Sequence, residues 1–179
     1  MRDLTQLDHC LDGKAGVCRA VVETSKGSRT KFDYDPETRM FKAKSLLPEG
    51  MSFPLDFGFI PSTLADDGDP LDVMILADES NPVGVLIDVR LIGALVIEET
   101  EHDRVERNDR LLAIQTLSHL YADVKSPDDL PTMFIDRLGA FWKQKAKRED
   151  KKLKVLHVCG PHDAVTLVRK AGKSEKAAA

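Results

Sequence analysis

The sequence has few cysteines, few aromatic residues and no long apolar run. Its three cysteines form no Cys-x-x-Cys pair, which argues against a disulfide-built domain and against a cysteine-ligated zinc site. No apolar stretch approaches the ~18 residues that cross a bilayer, and the first residues lack the apolar segment of a secretory signal. These absences predict a cytoplasmic protein with no membrane association.

The sequence also lacks an excess of positive charge. Lysine and arginine number 26 against 30 aspartates and glutamates, which gives a net charge of −4, and aromatic residues make up 6% of the chain. Proteins that bind nucleic acid concentrate positive charge, and those that bind single strands add aromatic platforms. The composition therefore predicts no nucleic-acid partner, and an OB-like nucleic-acid binder is kept only as an alternative.

The hydrophobic share of 42% in 179 residues is enough for one domain with its own core. The chain has no internal repeat and no linker composition, so residues 1–179 are predicted to form a single domain with a flexible tail from about residue 172. Short alternating segments predict strands. They cover residues 17–23, 29–35, 40–44, 71–76, 85–97, 111–114 and 154–158.

Two segments have helical character. Ser126 and Pro127 form a helix-start signature, and apolar residues at helical spacing follow it as far as Trp142. We interpret that apolar stripe as core. Residues 161–170 predict a second, shorter helix, and the charged residues 98–108 predict an exposed excursion. Many short strands with one main helix indicate a small closed β-barrel with flanking helices.

Four acidic residues lie close together in one segment, at Asp66, Asp67, Asp69 and Asp72. Two like charges ~5 Å apart repel by ~3 kcal/mol at an effective dielectric of ~20, so a loop that keeps them together usually holds a cation. The alternative is a solvated acidic turn. The spacing does not fit a calcium-binding EF-hand, and a hard-oxygen site at a strand edge suits Mg²⁺.

The residues of this region resemble the soluble inorganic pyrophosphatases of family I. Residues 67–73, Asp-Gly-Asp-Pro-Leu-Asp-Val, match the long and specific family signature Asp-Gly-Asp-Pro-x-Asp-Val. Residues 53–60 resemble the aromatic-rich stretch that precedes it, and the order of elements agrees from about residue 17 to about residue 158. The resemblance implies a mixed α+β, mainly β fold: a five-stranded OB-like barrel with flanking α-helices.

The resemblance also implies a reaction. Members of the family hydrolyse inorganic pyrophosphate to two phosphates with several Mg²⁺ ions in each active site. They commonly form homo-oligomers, which are hexamers in bacterial members. We therefore expect an inorganic diphosphatase that uses Mg²⁺ and assembles as a homo-oligomer, with a hexamer as one form.

The family's site residues carry over position by position. The resemblance implies that Asp69 is catalytic and helps to deprotonate the attacking water. Two pairs of neighbours, Glu98 or Glu99 and Asn108 or Asp109, compete for two metal positions, and Lys145 or Lys147 supplies a cation from the late helix. Our expected metal ligands are Asp67, Asp72, Glu99 and Asp109. Our expected substrate-binding residues are Glu23, Lys31, Lys44 and Lys145.

Several positions depart from the family pattern, among them Phe57, Lys44 and Asn108. Phe57 stands where the family favours a phosphate-contacting tyrosine, which removes a hydroxyl donor. Lys44 stands where arginine is usual, which keeps the charge but loses the planar fork. These departures keep open the alternative of a low-activity relative that binds phosphate compounds and metal.

Overall fold

A computed structural model describes residues 3–172 of the chain. The first five strands are β1 (Val17–Thr24), β2 (Thr30–Asp35), β3 (Met40–Leu46), β4 (Asp56–Phe59) and β5 (Asp72–Leu76). The remaining elements are β6 (Leu86–Glu101), β7 (Arg104–Arg107), β8 (Arg110–Gln115), α1 (Thr132–Arg148), β9 (Lys152–Cys159) and α2 (Pro161–Ala171). Two short 3₁₀ turns cover Leu4–Gln6 and Pro127–Asp129.

Five of the strands close into a ring. β1 pairs with both β4 and β6, β4 pairs with β5, and β8 links β5 to β6. The β5–β8 pair is parallel and the other pairs of the ring are antiparallel. β7 and β9 extend the sheet along β6, while β2 and β3 form a separate hairpin. The expected mixed α+β, mainly β fold with five closed strands and flanking helices is confirmed.

Successive side chains of a strand point to opposite sides of the sheet, and in the central strands both sides are covered by hydrophobic clusters. In β5, Val73 and Ile75 belong to a hydrophobic cluster that includes residues of α2. Met74 and Leu76 belong to a second cluster that includes residues of α1. This burial on both faces explains why residues 73–76 form a continuous apolar run, while Asp72, at the start of β5, lies at the edge of the core.

Strand β4 was missing from the sequence prediction, because it lies in a stretch rich in proline and glycine. Gly58 permits its close approach to β1: a Cβ atom at this position would lie 1.9 Å from the carbonyl oxygen of Val21. No side chain fits in that space. The glycine that argued against regular structure in the sequence is therefore the residue that allows this strand to pair.

The predicted start of the main helix at Ser126 is wrong. The side chain of Asp129 accepts the backbone N–H of Ser126 at 2.9 Å, which closes a separate 3₁₀ turn. Pro131 follows, and α1 begins at Thr132. Short turns and helices use the same capping chemistry, so the pattern alone did not separate them.

Residues 98–108 are exposed in part, as expected, but they are more regular than the sequence suggested. The end of β6 pairs with β7, and all four residues of β7 are exposed. Within residues 3–172, neither helix is long and apolar enough to cross a membrane. The expected flexible tail falls mainly on residues 173–179, which lie outside the described residues.

Candidate active site

Parallel pairing of β5 and β8 brings an acid and a base together at one edge of the ring. Asp72 begins β5, Arg110 begins β8, and the two residues are direct partners in the register. Nη1 of Arg110 donates to Oδ2 of Asp72 at 2.5 Å, and Nη2 donates to Oε1 of Glu99 on β6 at 2.7 Å. One guanidinium therefore bridges carboxylates from two different strands.

A cavity of about 220 Å³ lies on one side of this bridge. It is bounded by the acidic loop before β5, the end of β1 and the β2–β3 hairpin. Five of the nine expected site residues line it: Glu23, Lys31, Lys44, Asp69 and Asp72. Asp33 lines it as well, so acidic and basic side chains face each other across the cavity.

A second cavity, of about 490 Å³, lies beside the β6–β7 hairpin. Asp67 and Glu99 line it together with Asn108. Asp67 is also next to the first cavity, since its Oδ1 accepts the backbone N–H of Asp69 at 3.1 Å. The two cavities together contain seven of the nine expected residues, and the Asp72–Arg110–Glu99 bridge joins residues from both.

Burial shifts the pKa values of three acids in this region. It raises the pKa of Glu23 to about 8, against an opposing hydrogen bond from the backbone N–H of Tyr34. It raises the pKa of Asp72 to about 6, against the attraction of Arg110. The pKa of Asp69 is raised by loss of surrounding water and by the charge of Asp67. Burial therefore favours the protonated form of each of these three acids, in spite of the nearby cations.

The lysines respond to the same environment. Burial works against the charge of Lys31, but its ion pair with Asp33 outweighs burial and raises the pKa of Lys31. Lys44 is more exposed and lies 3.8 Å from the same aspartate. Lys31 and Lys44 are therefore held near the first cavity by Asp33, a residue that sequence reasoning placed only on the same strand face as Lys31.

Lys145 reaches this region from α1. It is 7% exposed and pairs with Glu149 at 2.5 Å. Burial lowers the pKa of Lys145, and the nearby charges of Lys31 and Arg110 lower it further. Its neighbour Lys147 is exposed, so Lys145 is the lysine of this segment that approaches the other cations.

Asp109 is not brought to the acidic cluster. Its carboxylate accepts the backbone N–H of Ile97 at 3.0 Å and pairs with Arg107 at 2.8 Å. Residues 108 and 110 flank it, and alternation along an extended chain turns both of them to the opposite side. Of the two alternatives, Asn108 lines the cavity with Asp67 and Glu99, and Asp109 does not.

Comparisons of this chain with known proteins find one family. The family model described as Inorganic pyrophosphatase matches residues 20–176. An inorganic pyrophosphatase from Nostoc sp. is 34% identical over 80% of this chain and 82% of its own. One from Halalkalibacterium halodurans is 36% identical over 78% of this chain and 83% of its own.

The solved structures give the same result. The crystal structure of inorganic pyrophosphatase from Thermus thermophilus superposes with a TM-score of 0.86 at 27% identity, covering 95% of this chain and 97% of that one. The chain belongs to the inorganic pyrophosphatase family. The expected family and the expected enzyme class, an inorganic diphosphatase, are confirmed.

Trp142 contacts Arg110 of the pyrophosphatase site, and sequence reasoning missed this contact. The guanidinium carbon of Arg110 lies 3.8 Å from the centre of the Trp142 ring, and Phe57 lies 5.1 Å from the same ring. Trp142 was interpreted as core alone. It is 2% exposed and does pack in the core, but one face also contacts a charged residue of the site.

The oxygen donors of the site suit Mg²⁺, which prefers carboxylate ligands and keeps several waters. Within residues 3–172, Asp67 and Asp69 form no ion pair, although the charges of Lys31 and Lys44 act on Asp69. No three acidic, histidine or cysteine side chains in that range lie close enough together to hold a metal ion. The type of donor atom thus fits Mg²⁺, but the donors are not gathered around one point, and Arg110 lies between two of them.

Proposed function

We propose that this protein hydrolyses inorganic pyrophosphate to two phosphates, with Asp69 as the acceptor of the water proton. The observation that carries the proposal is a single cavity lined by Asp69 and Asp72 of the acidic loop together with Lys31 and Lys44. Pyrophosphate is a compact polyanion, so its site needs cations on the phosphate oxygens and an acid-base group beside the attacking water. The cavity supplies both kinds of group.

In the proposed reaction, the water oxygen bonds to one phosphorus while the bridging P–O bond breaks. Asp69 takes a proton from the water, and the outgoing phosphate takes up a proton from solvent as it leaves. Asp69 then returns its proton to solvent. A raised pKa suits this role, because a base works best when its pKa lies nearer the working pH. Asp69 lies at the mouth of the cavity, where water reaches it.

The cations bind and orient the phosphates. Lys31 is fixed by its ion pair with Asp33, so its position is set before substrate arrives. Lys44 is 69% exposed and can move onto the outer phosphate. Lys145 lies deeper, near Lys31 and Arg110, and adds positive charge to the inner side of the site.

We also propose Asp67, Asp72, Glu99 and Asn108 as the residues that hold Mg²⁺. Bound Mg²⁺ supplies positive charge to the phosphate oxygens and lowers the pKa of its bound water. Asp109 is left out of this set because it does not line the cavity that holds Asp67, Glu99 and Asn108. Glu23, with its raised pKa, faces the cavity as a substrate-side acid.

Phosphate release from pyrophosphate tests the assignment of the acids. We expect Asp69→Asn and Asp72→Ala each to lower turnover by orders of magnitude, because one removes the proton acceptor and the other a proposed metal ligand. Asp66→Asn is the matched control, since Asp66 is an exposed neighbour that lines neither cavity of the site. Near-normal turnover in the two site variants, with the fold intact by circular dichroism, would contradict these roles.

A second candidate function is a low-activity relative that binds phosphate compounds. Phe57 favours it, because its buried ring lies close to the site but has no hydroxyl to donate to a phosphate. Nζ of Lys31 is 6.0 Å from the centre of this ring. Phe57→Tyr tests it: if the missing hydroxyl limits the enzyme, turnover should rise in this variant.

We also propose that the protein forms a homo-oligomer, as the family does, with a hexamer as one form. We propose a cytoplasmic location, because three free cysteines fit a reducing compartment.

A further inference from the structure

Arg110 is buried in the site and bound by two carboxylates. Its side chain is 7% exposed, and both terminal nitrogens are used by carboxylates, one from β5 and one from β6. A guanidinium carries several donors in a rigid plane, so it can join two acids at once. A lysine at this position would offer a single point charge instead.

Trp142 fixes the position of this guanidinium from the other side. The indole N–H donates to Sδ of Met74 at 3.1 Å, which sets the orientation of the ring in the core. The guanidinium carbon of Arg110 lies 3.8 Å from the ring centre, within the range of a cation–π contact. Arg110 is thus placed between an aromatic face and two carboxylates.

The remaining nitrogen of Arg110 indicates what determines its position. Nε is buried and has no hydrogen-bond partner within the described residues. Leaving a buried N–H unpaired is unfavourable by about 1–3 kcal/mol. The ring contact and the two ion pairs, rather than a complete set of hydrogen bonds, therefore hold the side chain in place.

The two oxygens that Arg110 holds belong to proposed Mg²⁺ ligands. We propose that Arg110 is a built-in cation that competes with Mg²⁺ for Asp72 and Glu99, and that Trp142 is the positioning residue that keeps it there. Mg²⁺ prefers the same carboxylate oxygens. It must displace the guanidinium or bind beside a positive charge, and either alternative weakens its affinity. The inference rests on the proposed use of Mg²⁺.

Calorimetric titration of the metal-free protein with Mg²⁺ tests the competition without any turnover. We expect Arg110→Gln to bind Mg²⁺ at least about tenfold more tightly than the wild type, a change of about 1.4 kcal/mol. Arg110→Lys should lie between the two, since one ammonium cannot bridge both acids. Arg19→Gln is the control, because Arg19 pairs only loosely with Asp88 on another part of the ring. An unchanged Mg²⁺ affinity in folded Arg110→Gln would overturn the proposal.

The positioning role has its own matched pair of variants. Trp142→Leu and Phe141→Leu each remove one ring from the same aromatic cluster, but only Trp142 contacts Arg110. We expect Trp142→Leu to shift the Mg²⁺ affinity in the same direction as Arg110→Gln, and Phe141→Leu to leave it unchanged. Trp142→Phe keeps a ring and should shift it less. Equal affinities in the two leucine variants would show that Trp142 is only a core residue.

These measurements separate the inference from the proposed function. Mg²⁺ binding to the substrate-free protein is measured directly, so a protein that binds Mg²⁺ but releases no phosphate would contradict the function while still testing Arg110. Failure of the wild type and of Arg110→Gln to bind Mg²⁺ at all would overturn the inference.

Discussion

The buried acid Glu23 leads to a prediction about stability and pH. Glu23 is 8% exposed, and this burial raises the pKa of its carboxyl group from 4.5 to about 8. The negative charges of Asp72 and Asp33 add to the rise. Between these two pH values the folded protein keeps a proton on Glu23 that the unfolded chain has already lost. Stability should therefore fall as the pH rises through this interval.

The size of the effect follows from the same two pKa values. Each pH unit between them corresponds to about 1.4 kcal/mol, so the whole interval corresponds to about 5 kcal/mol at most. Glu23→Gln cannot ionise, and its amide oxygen can still accept the backbone N–H of Tyr34. The variant should match the wild type near pH 4.5 and become the more stable of the two by several kcal/mol above pH 8.

Urea unfolding with a chelator present, at pH 5 and at pH 9, measures this difference. Glu37→Gln is the matched control, because Glu37 is exposed in the turn of the β2–β3 hairpin. It should follow the wild type at both pH values. If Glu23→Gln and the wild type respond equally to pH, then Glu23 titrates normally and the argument from its burial is wrong.

Two further predictions concern the frame around the site. Gly58→Ala should destabilise the protein by at least about 3 kcal/mol, because the new Cβ would lie 1.9 Å from the Val21 carbonyl oxygen; a melting temperature within a degree of the wild type would contradict this. Asp56→Ala should lower the free energy of unfolding by about 3 kcal/mol, because Asp56 accepts the backbone N–H groups of Lys26 and Asn81 at 2.7 and 2.8 Å. Urea unfolding of Asp56→Ala checks the second, and a loss below about 0.5 kcal/mol would show that water replaces the carboxylate.

The sequence predicts those features that depend on local pattern. The acids of residues 66–72 stand in one loop, and the alternation of residues 30–35 places Lys31 and Asp33 on one face, as the structure also has them. The closed ring of strands was anticipated from the number of short alternating segments. Each of these inferences needs only neighbours in the chain.

The parts that were missed depend on pairing between distant segments. The Arg110 bridge exists because β5 and β8 lie parallel with Asp72 opposite Arg110, and nothing near either residue in the sequence specifies that register. The same register decides that Asn108, and not Asp109, faces the acids. Trp142 was indistinguishable from core by spacing, because a core residue and a ring that supports a cation occupy the same face of α1.

The most direct test of the account is phosphate release from pyrophosphate near neutral pH, with and without Mg²⁺, for the wild type and for Asp69→Asn. We expect the wild type to release phosphate rapidly and only with Mg²⁺, and we expect the rate to fall by orders of magnitude in Asp69→Asn. Absence of release from folded wild-type protein would contradict the proposed function. Rapid release by Asp69→Asn would contradict the role of this aspartate as the proton acceptor.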